Sequence, residues 1–188
     1  MDIVAHGLWA GIGVALAQRR WPISPRTALT TVAMAALPDL AQLLPLLGRA
    51  AVSGEVRVLR AYATALPGFE PALSPTVALW THHLHCALHS AVVAALVTLL
   101  VWTATRSLWI PLLGWWSHIV IDIFTHSAEF YPVPVFYPFT QRGFDGLAWN
   151  TPWFLAANYA AIALMLVLLA ATRGVRGARS PNSGSAPG

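Results

Sequence analysis

The chain has 188 residues, of which 57% are hydrophobic and only 10% are charged. A soluble domain usually has about 25% charged residues, so this composition excludes an ordinary soluble globular protein. The basic residues number eleven, all of them arginine, against seven acidic residues, which gives a net charge of +4. Several apolar stretches approach the roughly 20 residues that cross a bilayer. We therefore predict an all-α fold, a polytopic transmembrane helical bundle.

About five membrane helices are predicted, at 3–18, 27–47, 77–104, 108–127 and 153–172. Between the second and third, Ser53–Leu66 is predicted to form a helix that rests on the membrane surface. The loop 128–152 is rich in aromatic residues and proline, and is predicted to be an extracytoplasmic lid over a site or a cap that seals the bundle. Residues 1–172 would form one domain. Residues 173–188, rich in Arg, Gly, Ser and Pro, are predicted to be a disordered cytoplasmic tail.

The arginines predict how the bundle is oriented. If the helices alternate in direction, the connections 19–26 and 105–107 share one side with the tail, and carry seven arginines and no acidic residue. The opposite side has four arginines and four acidic residues. Because positive charge collects on the cytoplasmic side, the N-terminus is predicted outside and the C-terminus in the cytoplasm of a bacterial inner membrane.

The most informative stretch is Gly114–Ser127, an apolar run that contains His118, Asp122 and His126. At about 3.6 residues per turn, the i, i+4, i+8 spacing puts the three side chains on one stripe of a helix. A carboxylate at the centre of a membrane costs roughly 2.5–3.5 kcal/mol, so a functional role is the default interpretation. An imidazole and a carboxylate one turn apart can also bind one metal ion.

The predicted topology places every histidine and both intramembrane acids toward the same, outer face of the membrane. His6 begins the first helix, Asp39 lies late in the second, and the stretch 82–89 begins the third with four histidines. Asp39 follows a proline and could merely cap a broken helix, but a lipid-facing carboxylate would be costly, which favours a ligand. This clustering predicts a single site built by several helices.

Helical phase narrows the choice among the histidines of the third helix. His82, His85 and His89 fall within an arc of about 60°, whereas His83 points elsewhere. Mixed imidazole and carboxylate ligation suits Zn²⁺, and also Mn²⁺ or iron, better than Mg²⁺ or Ca²⁺. One or two divalent ions are expected. The predicted metal ligands are His6, Asp39, His85, His89, His118 and Asp122.

Two further residues are candidates for catalysis. His126 is a candidate general acid, or alternatively a residue that orients a ligand or shuttles a proton. Arg142, in the aromatic loop, is a candidate clamp for an anionic head group, with an ordinary surface arginine as the alternative.

These motifs together resemble a family of membrane-bound, metal-dependent hydrolases known in bacteria as LexA-binding, inner-membrane-associated hydrolases. The similarity covers most of residues 1–142 and rests on His6-Gly7, Leu37-Pro38-Asp39, His89-Ser90, Ser117-His118 with Asp122, and Tyr137–Thr140. The resemblance implies a helical membrane domain with a His/Asp metal site arranged like that of zinc-dependent phospholipase C. Two departures are Ala41, where many members have a second Asp, and the absence of an arginine before His89-Ser90. The ligand register among His83, His85 and His89 therefore stays open.

The sequence thus predicts a metal-dependent hydrolase that acts on a phosphoester of a lipid or lipid-linked substrate near the outer leaflet. The alternative is a metal-ion or proton transporter or sensor that uses the same cluster. A conduit would need ionisable residues through the whole membrane depth, whereas segments such as Val92–Val101 are apolar. Nucleic-acid binding is not expected, because the arginines are scattered over several loops.

Overall fold

The computed structural model describes the backbone of residues 1–178 and the side chains of residues 1–172. Over this range the chain forms eight α-helices and no β-strand, which confirms the all-α prediction. The helices are α1 (Ile3–Ala17), α2 (Pro25–Ala41), α3 (Leu44–Ser53), α4 (Val56–Thr64), α5 (Pro75–Leu88), α6 (Ala91–Thr105), α7 (Leu112–Thr125) and α8 (Pro152–Ala178).

The single helix predicted over 27–47 is wrong, because the chain divides it into α2 and α3 with a bend of 61°. Pro45 lies in the first turn of α3. A proline ring clashes with the carbonyl four residues earlier, which here belongs to Ala41, the last residue of α2. The helix that follows, α4, lies within the surface helix predicted at Ser53–Leu66.

The single helix predicted over 77–104 is also wrong, since α5 and α6 meet at a bend of 64° around His89 and Ser90. Ser90 caps α6, because its hydroxyl accepts a hydrogen bond from the Val93 amide at 3.2 Å. The same hydroxyl donates to the carbonyl of Tyr137 at 2.7 Å, which ties the bend to the aromatic loop. Trp115 donates from its indole nitrogen to the carbonyl of Leu88 at 2.6 Å, so a carbonyl freed by the bend is satisfied.

We expect Ser90→Ala to lower the free energy of unfolding by about 1–2 kcal/mol, because it removes a helix cap and leaves the part-buried Tyr137 carbonyl without its donor. Ser74→Ala is the matched control: Ser74 precedes α5 but its side chain makes no capping hydrogen bond. Thermal unfolding in detergent would compare the two. Equal melting temperatures would show that the bend does not depend on Ser90.

Helix α7 is shorter than the predicted helix 108–127. It begins at Leu112 behind Pro111, and it ends at Thr125. His126 is therefore outside the helix, with an extended backbone (φ −121°, ψ 149°), rather than on the third turn of a helical stripe. The segment 146–149 runs alongside this end and donates backbone hydrogen bonds of 2.8–3.0 Å to the carbonyls of residues 124–126. These bonds satisfy carbonyls that a helix end leaves unpaired.

Helix α2 packs on α1 and α7, and α1 also packs on α8. The backbones of α2 and α7 approach each other closely at Gly114, where an added Cβ would lie 2.0 Å from the carbonyl oxygen of Thr31. Only a residue without a side chain permits this approach. Gly114 therefore sets the distance between the two helices one turn before His118.

One helical segment, Pro152–Thr172 in α8, is long and apolar enough to cross a membrane, with 21 residues and a mean hydropathy of 2.2. If each bent pair counts as one span, the described residues hold up to three spans. Helices α1 and α7 are apolar but shorter. The outer faces of α6 and α8 expose leucines, including Leu99, Leu100 and Leu164. Residues 179–188 of the predicted tail lie outside the described residues.

Candidate metal centre

Four side chains that could hold a metal ion meet at one place in the structure. Asp39, His89, His118 and Asp122 are all buried, and each offers one ligand atom within 4.8 Å of the others. Nε2 of His118 lies 3.0 Å from Nε2 of His89 and 3.1 Å from Oδ2 of Asp122. Nε2 of His89 lies 3.4 Å from Oδ2 of Asp122 and 3.5 Å from Oδ1 of Asp39.

The cluster exists because helix ends meet at one side of the bundle. Asp39 is in the last turn of α2, His89 is the C-cap residue directly after α5, and Asp122 is in the last turn of α7. The C-terminal end of a helix carries about half a negative charge, so three such ends favour a cation between them. His6 lies beside these three helix ends but belongs to the first turn of α1, so it comes from the N-terminal end of its helix.

Backbone carbonyls fix the orientation of three imidazole rings. Nδ1 of His118 lies 2.7 Å from the carbonyl of Ala35, and Nδ1 of His89 lies 2.9 Å from that of His85. Nδ1 of His126 lies 2.7 Å from the carbonyl of Tyr131. A carbonyl only accepts, so Nδ1 carries the proton in each neutral ring and Nε2 presents a lone pair. This is the arrangement in which histidines bind metals.

The donor set of the four-residue cluster fits a divalent ion. Two donors about 2.0–2.2 Å from one tetrahedral ion are about 3.3–3.6 Å apart, close to the separations observed. The lone pairs of His89 and His118 face each other across 3.0 Å, an arrangement that a cation between them stabilises. Oδ2 of Asp122 is buried and has no hydrogen-bond partner. Two buried carboxylates also need two positive charges nearby. The buried Asp/His/His/Asp group can therefore hold a metal ion.

His6 and His126 lie on the other side of the Asp122 carboxylate. Nε2 of His6 is 2.9 Å from Oδ1 of Asp122, and Nε2 of His126 is 3.3 Å from the same oxygen. The nitrogen of Met1 contacts Oδ1 of Asp122 and lies 2.8 Å from Nε2 of His126. The His6 and His118 rings stack with their centres 3.9 Å apart. Of the six predicted ligands, the structure thus brings five together.

The sixth, His85, does not direct its nitrogens at the cluster. Its ring stacks on His89 with the centres 4.2 Å apart, but Nδ1 faces Gln42 at 3.2 Å and Nε2 faces the carbonyl of Pro132 at 3.2 Å. Among the alternatives, His83 contacts the Tyr137 hydroxyl at 3.3 Å and His82 contacts Gln141 at 3.3 Å. The structure therefore favours His89 as the ligand that this histidine-rich stretch supplies.

A cavity of about 530 Å³ reaches the cluster at Asp39 and also contacts the neighbouring His126. Its other lining residues include Tyr62 of α4, Glu70 of the loop between α4 and α5, and Tyr131 of the loop between α7 and α8. Tyr131 donates a hydrogen bond from its hydroxyl to Glu70 and accepts one from the Gly68 amide at 3.1 Å. Burial and the bond to Glu70 raise the pKa of the Tyr131 phenol, which therefore keeps its proton at neutral pH.

Arg142 lies apart from this arrangement: it is exposed and does not line the 530 Å³ cavity. Sequence reasoning missed Gln42, which lies between Asp39 and His85. It also missed the contact of Glu70 with Tyr131. Gln42 could have been predicted to contact Asp39, because a polar residue three positions later in a helix lies on the same face. The contact between Glu70 and Tyr131 joins two loops 61 residues apart, and no local sequence pattern predicts it.

Taken together, the fold and the cluster define an all-helical membrane protein with a buried His/Asp centre. The chain belongs to the YdjM inner membrane protein family, whose model matches residues 1–181. Searches of the curated proteins and of the solved structures found no significant match.

Proposed function

We propose that the chain is a metal-dependent hydrolase that acts on a phosphoester of a lipid or lipid-linked substrate. The observation that carries this proposal is the convergence of two Nε2 atoms and two buried carboxylates beside a cavity. Asp39, His89, His118 and Asp122 would hold the ion, Zn²⁺ in the first place and Mn²⁺ or iron otherwise. When bound, such an ion lowers the pKa of water and polarises a phosphoryl oxygen.

The residues of the chain orient the ion and exclude water. The carbonyls of Ala35 and His85 hold the His118 and His89 rings, so the two Nε2 atoms need no rearrangement before they bind. The apolar part of the cavity lining, which includes Ile3, Val4 and Leu43, suits an acyl or isoprenoid chain. Its described lining includes no arginine, so the charge of a phosphate would be met by the ion.

The predicted catalytic residues receive unequal support. The Nδ1–H of His126 donates to the Tyr131 carbonyl, so Nε2 is the nitrogen that would exchange a proton or bind an ion. This geometry is compatible with a general acid and with a metal ligand. The exposed position of Arg142 gives its proposed role as a phosphate clamp no support from the geometry.

The same proposal includes a topology. In it, α1, the pair α2–α3, the pair α5–α6, α7 and α8 make up a bundle of five membrane segments, covering residues 1–172. The arginine distribution supports an N-terminus outside, and a C-terminal tail in the cytoplasm. Because the cluster lies where α1 begins and α2 ends, it would then lie near the outer leaflet.

Transport or sensing is the other function that the cluster would allow. A conduit requires polar groups along its whole length. Among the described residues, the buried charged and histidine side chains all lie together at one end of the bundle. They are His6, Asp39, His89, His118, Asp122 and His126. A one-sided site agrees better with an enzyme than with a pathway.

The test is hydrolysis of a panel of lipid phosphoesters by protein purified in detergent, with and without a chelator. We expect turnover that a chelator abolishes and added Zn²⁺ or Mn²⁺ restores. His118→Ala should lower it by at least about 100-fold, because the variant loses a ligand. His83→Ala, a histidine outside the cluster, is the control and should keep its activity. Absence of chelator-sensitive turnover would favour the transport alternative.

A further inference from the structure

A groove of about 510 Å³ lies between α1, α7 and α8. Val120 and Phe124 of α7 form one wall, and both side chains are exposed. Trp9 of α1 and Asn158 of α8 line the groove from the neighbouring helices. Exposed apolar side chains in contiguous patches mark surfaces that meet a membrane. The groove therefore opens toward the hydrocarbon of the bilayer.

Asn158 is a buried amide in an apolar helix, and its nitrogen is unpaired. The segment Pro152–Thr172 is apolar enough to cross a membrane, and Asn158 within it is 8% exposed. The indole nitrogen of Trp9 donates to Oδ1 of Asn158 at 2.9 Å. Because an indole nitrogen only donates, this bond identifies the oxygen of the amide and leaves both N–H groups on Nδ2. Nδ2 is buried and has no hydrogen-bond partner among the described residues.

The unpaired Nδ2 needs an acceptor that a bilayer can supply. The hydrocarbon core holds no water, and an unpaired polar group there is destabilising. An acyl ester brings a carbonyl oxygen that is attached directly to a hydrocarbon chain. We propose that the groove binds an ester-linked acyl chain of a glycerolipid, whose carbonyl oxygen accepts a hydrogen bond from Nδ2 of Asn158.

The size of the groove favours a lipid chain over a helix from a second copy of the protein. An α-helix with its side chains is about 10 Å across and rises about 5.4 Å per turn, so 510 Å³ holds little more than one turn. Asn158 is also recessed, since its side chain is buried between α1 and α8. A thin acyl chain can lie along such a groove, whereas a second helix would rest on its rim.

The groove and the 530 Å³ cavity both adjoin the metal centre. Thr125 lines the groove, and its hydroxyl donates to Oδ1 of Asp122 at 3.3 Å. Asp39 belongs to the centre and lines the cavity. A phosphate at the cluster would therefore have two largely apolar spaces beside it. This arrangement suits a lipid with two chains.

The depth of Asn158 agrees with the same class of lipid. Its partner Trp9 lies three residues after His6 on α1, which is about 4.5 Å further along the helix. An ester carbonyl at Asn158 would thus lie about one turn deeper in the membrane than a phosphate at the cluster. Glycerophospholipids carry the two groups in this order, whereas an isoprenoid phosphate has no oxygen along its chain. This inference rests on the proposed function, and it narrows the lipid substrate to an acyl glycerol phosphoester.

The test is the binding of two synthetic lipids to metal-free protein in detergent, measured by native mass spectrometry. Dipalmitoyl phosphatidic acid has ester carbonyls, whereas its dihexadecyl ether counterpart has the same phosphate and chain length without them. We expect the native chain to bind the ester lipid roughly 2- to 10-fold more tightly, which is the effect of one hydrogen bond. Asn158→Leu should bind both lipids equally. Asn150→Leu, at an asparagine that does not line the groove, is the control and should keep the preference.

Each other outcome would overturn the inference. Equal binding of the two lipids by the native chain would do so, even where Asn158→Leu fails to fold, and so would an ester preference that survives Asn158→Leu. A dimer that Asn158→Leu dissociates would assign the groove to a second copy instead.

The proposed function is tested separately, because binding is measured without metal and without turnover. An ester preference without chelator-sensitive hydrolysis of any lipid phosphoester would support the groove and count against the hydrolase. Chelator-sensitive hydrolysis together with equal binding of the two lipids would leave the hydrolase intact and remove the role of Asn158.

Discussion

Asp122→Asn is expected to abolish metal binding, because this carboxylate lies against all four histidines around it, His6, His89, His118 and His126. Loss of a residue that only orients a ligand costs 10–100-fold in affinity, so loss of this carboxylate should cost more than about 100-fold. Elemental analysis after dialysis against trace metal would measure it. The native chain should retain stoichiometric metal and the variant only traces.

Thermal unfolding separates loss of metal from loss of fold in this variant. A ligand at 1,000 times its dissociation constant stabilises the native state by about 4.1 kcal/mol, so added metal should raise the melting temperature of the native chain. The metal-free variant should still unfold cooperatively, and added metal should not raise its melting temperature, because asparagine keeps the shape of the side chain but lacks the anionic oxygens. The control is Glu129→Gln at an exposed loop position, which should bind metal normally. Full metal content in Asp122→Asn would refute the assignment.

Gly114→Ala is expected to have the largest effect on the fold. Its Cβ would lie 2.0 Å from the Thr31 carbonyl oxygen and 3.1 Å from the Ala35 amide, so the backbones of α2 and α7 must move apart. Overpacking of this kind costs 1–3 kcal/mol and occasionally more; a clash between two backbones belongs at the upper end, about 3 kcal/mol. Separation of the helices also lengthens the hydrogen bond from His118 to the Ala35 carbonyl. Metal affinity should therefore fall together with stability.

Gly13→Ala provides the matched control for Gly114→Ala. Gly13 is also inside an apolar helix, but an added Cβ there meets nothing within 4 Å. Alanine in a helix interior is favoured over glycine by roughly 0.5–1 kcal/mol, so this variant should be slightly more stable. Unfolding temperature and metal content in detergent would be measured for both. If Gly114→Ala binds metal as tightly as Gly13→Ala, the close helix contact does not position His118.

The sequence was sufficient to predict the residue types of the centre, because their signal is local. His118 and Asp122 are four residues apart, and a helix puts them on one face whatever surrounds it. Charged groups in apolar stretches are also rare enough to mark a site, which identified Asp39. The topological argument that all these residues share one end of the bundle likewise used only the order of the helices.

The bends were harder to predict, and for different reasons. Pro45 was a visible signal for the break after α2, although hydropathy alone favoured one long helix. The break at His89 and Ser90 contains neither proline nor glycine. It depends on carbonyls of the loop near Tyr137, almost 50 residues later, which hydrogen-bond the Ser90 hydroxyl. A continuous helix through this bend made His85 and His89 equally good candidates for metal ligands. In the structure α5 ends before His89, and only His89 directs a nitrogen at Asp39 and Asp122.

Main-chain oxygens, rather than side chains, hold the Nδ1 atoms of the His118, His89 and His126 rings. Every amino acid supplies the same carbonyl, so substitutions at positions 35, 85 and 131 leave the tautomers of these rings unchanged as long as the chain keeps its path. Relatives could therefore differ at those three positions while retaining the coordinating atoms, within the space that packing leaves, which is small at the fully buried Ala35. Anyone grafting this centre into a designed bundle would need to reproduce the backbone trace there, and could choose the residues for other reasons.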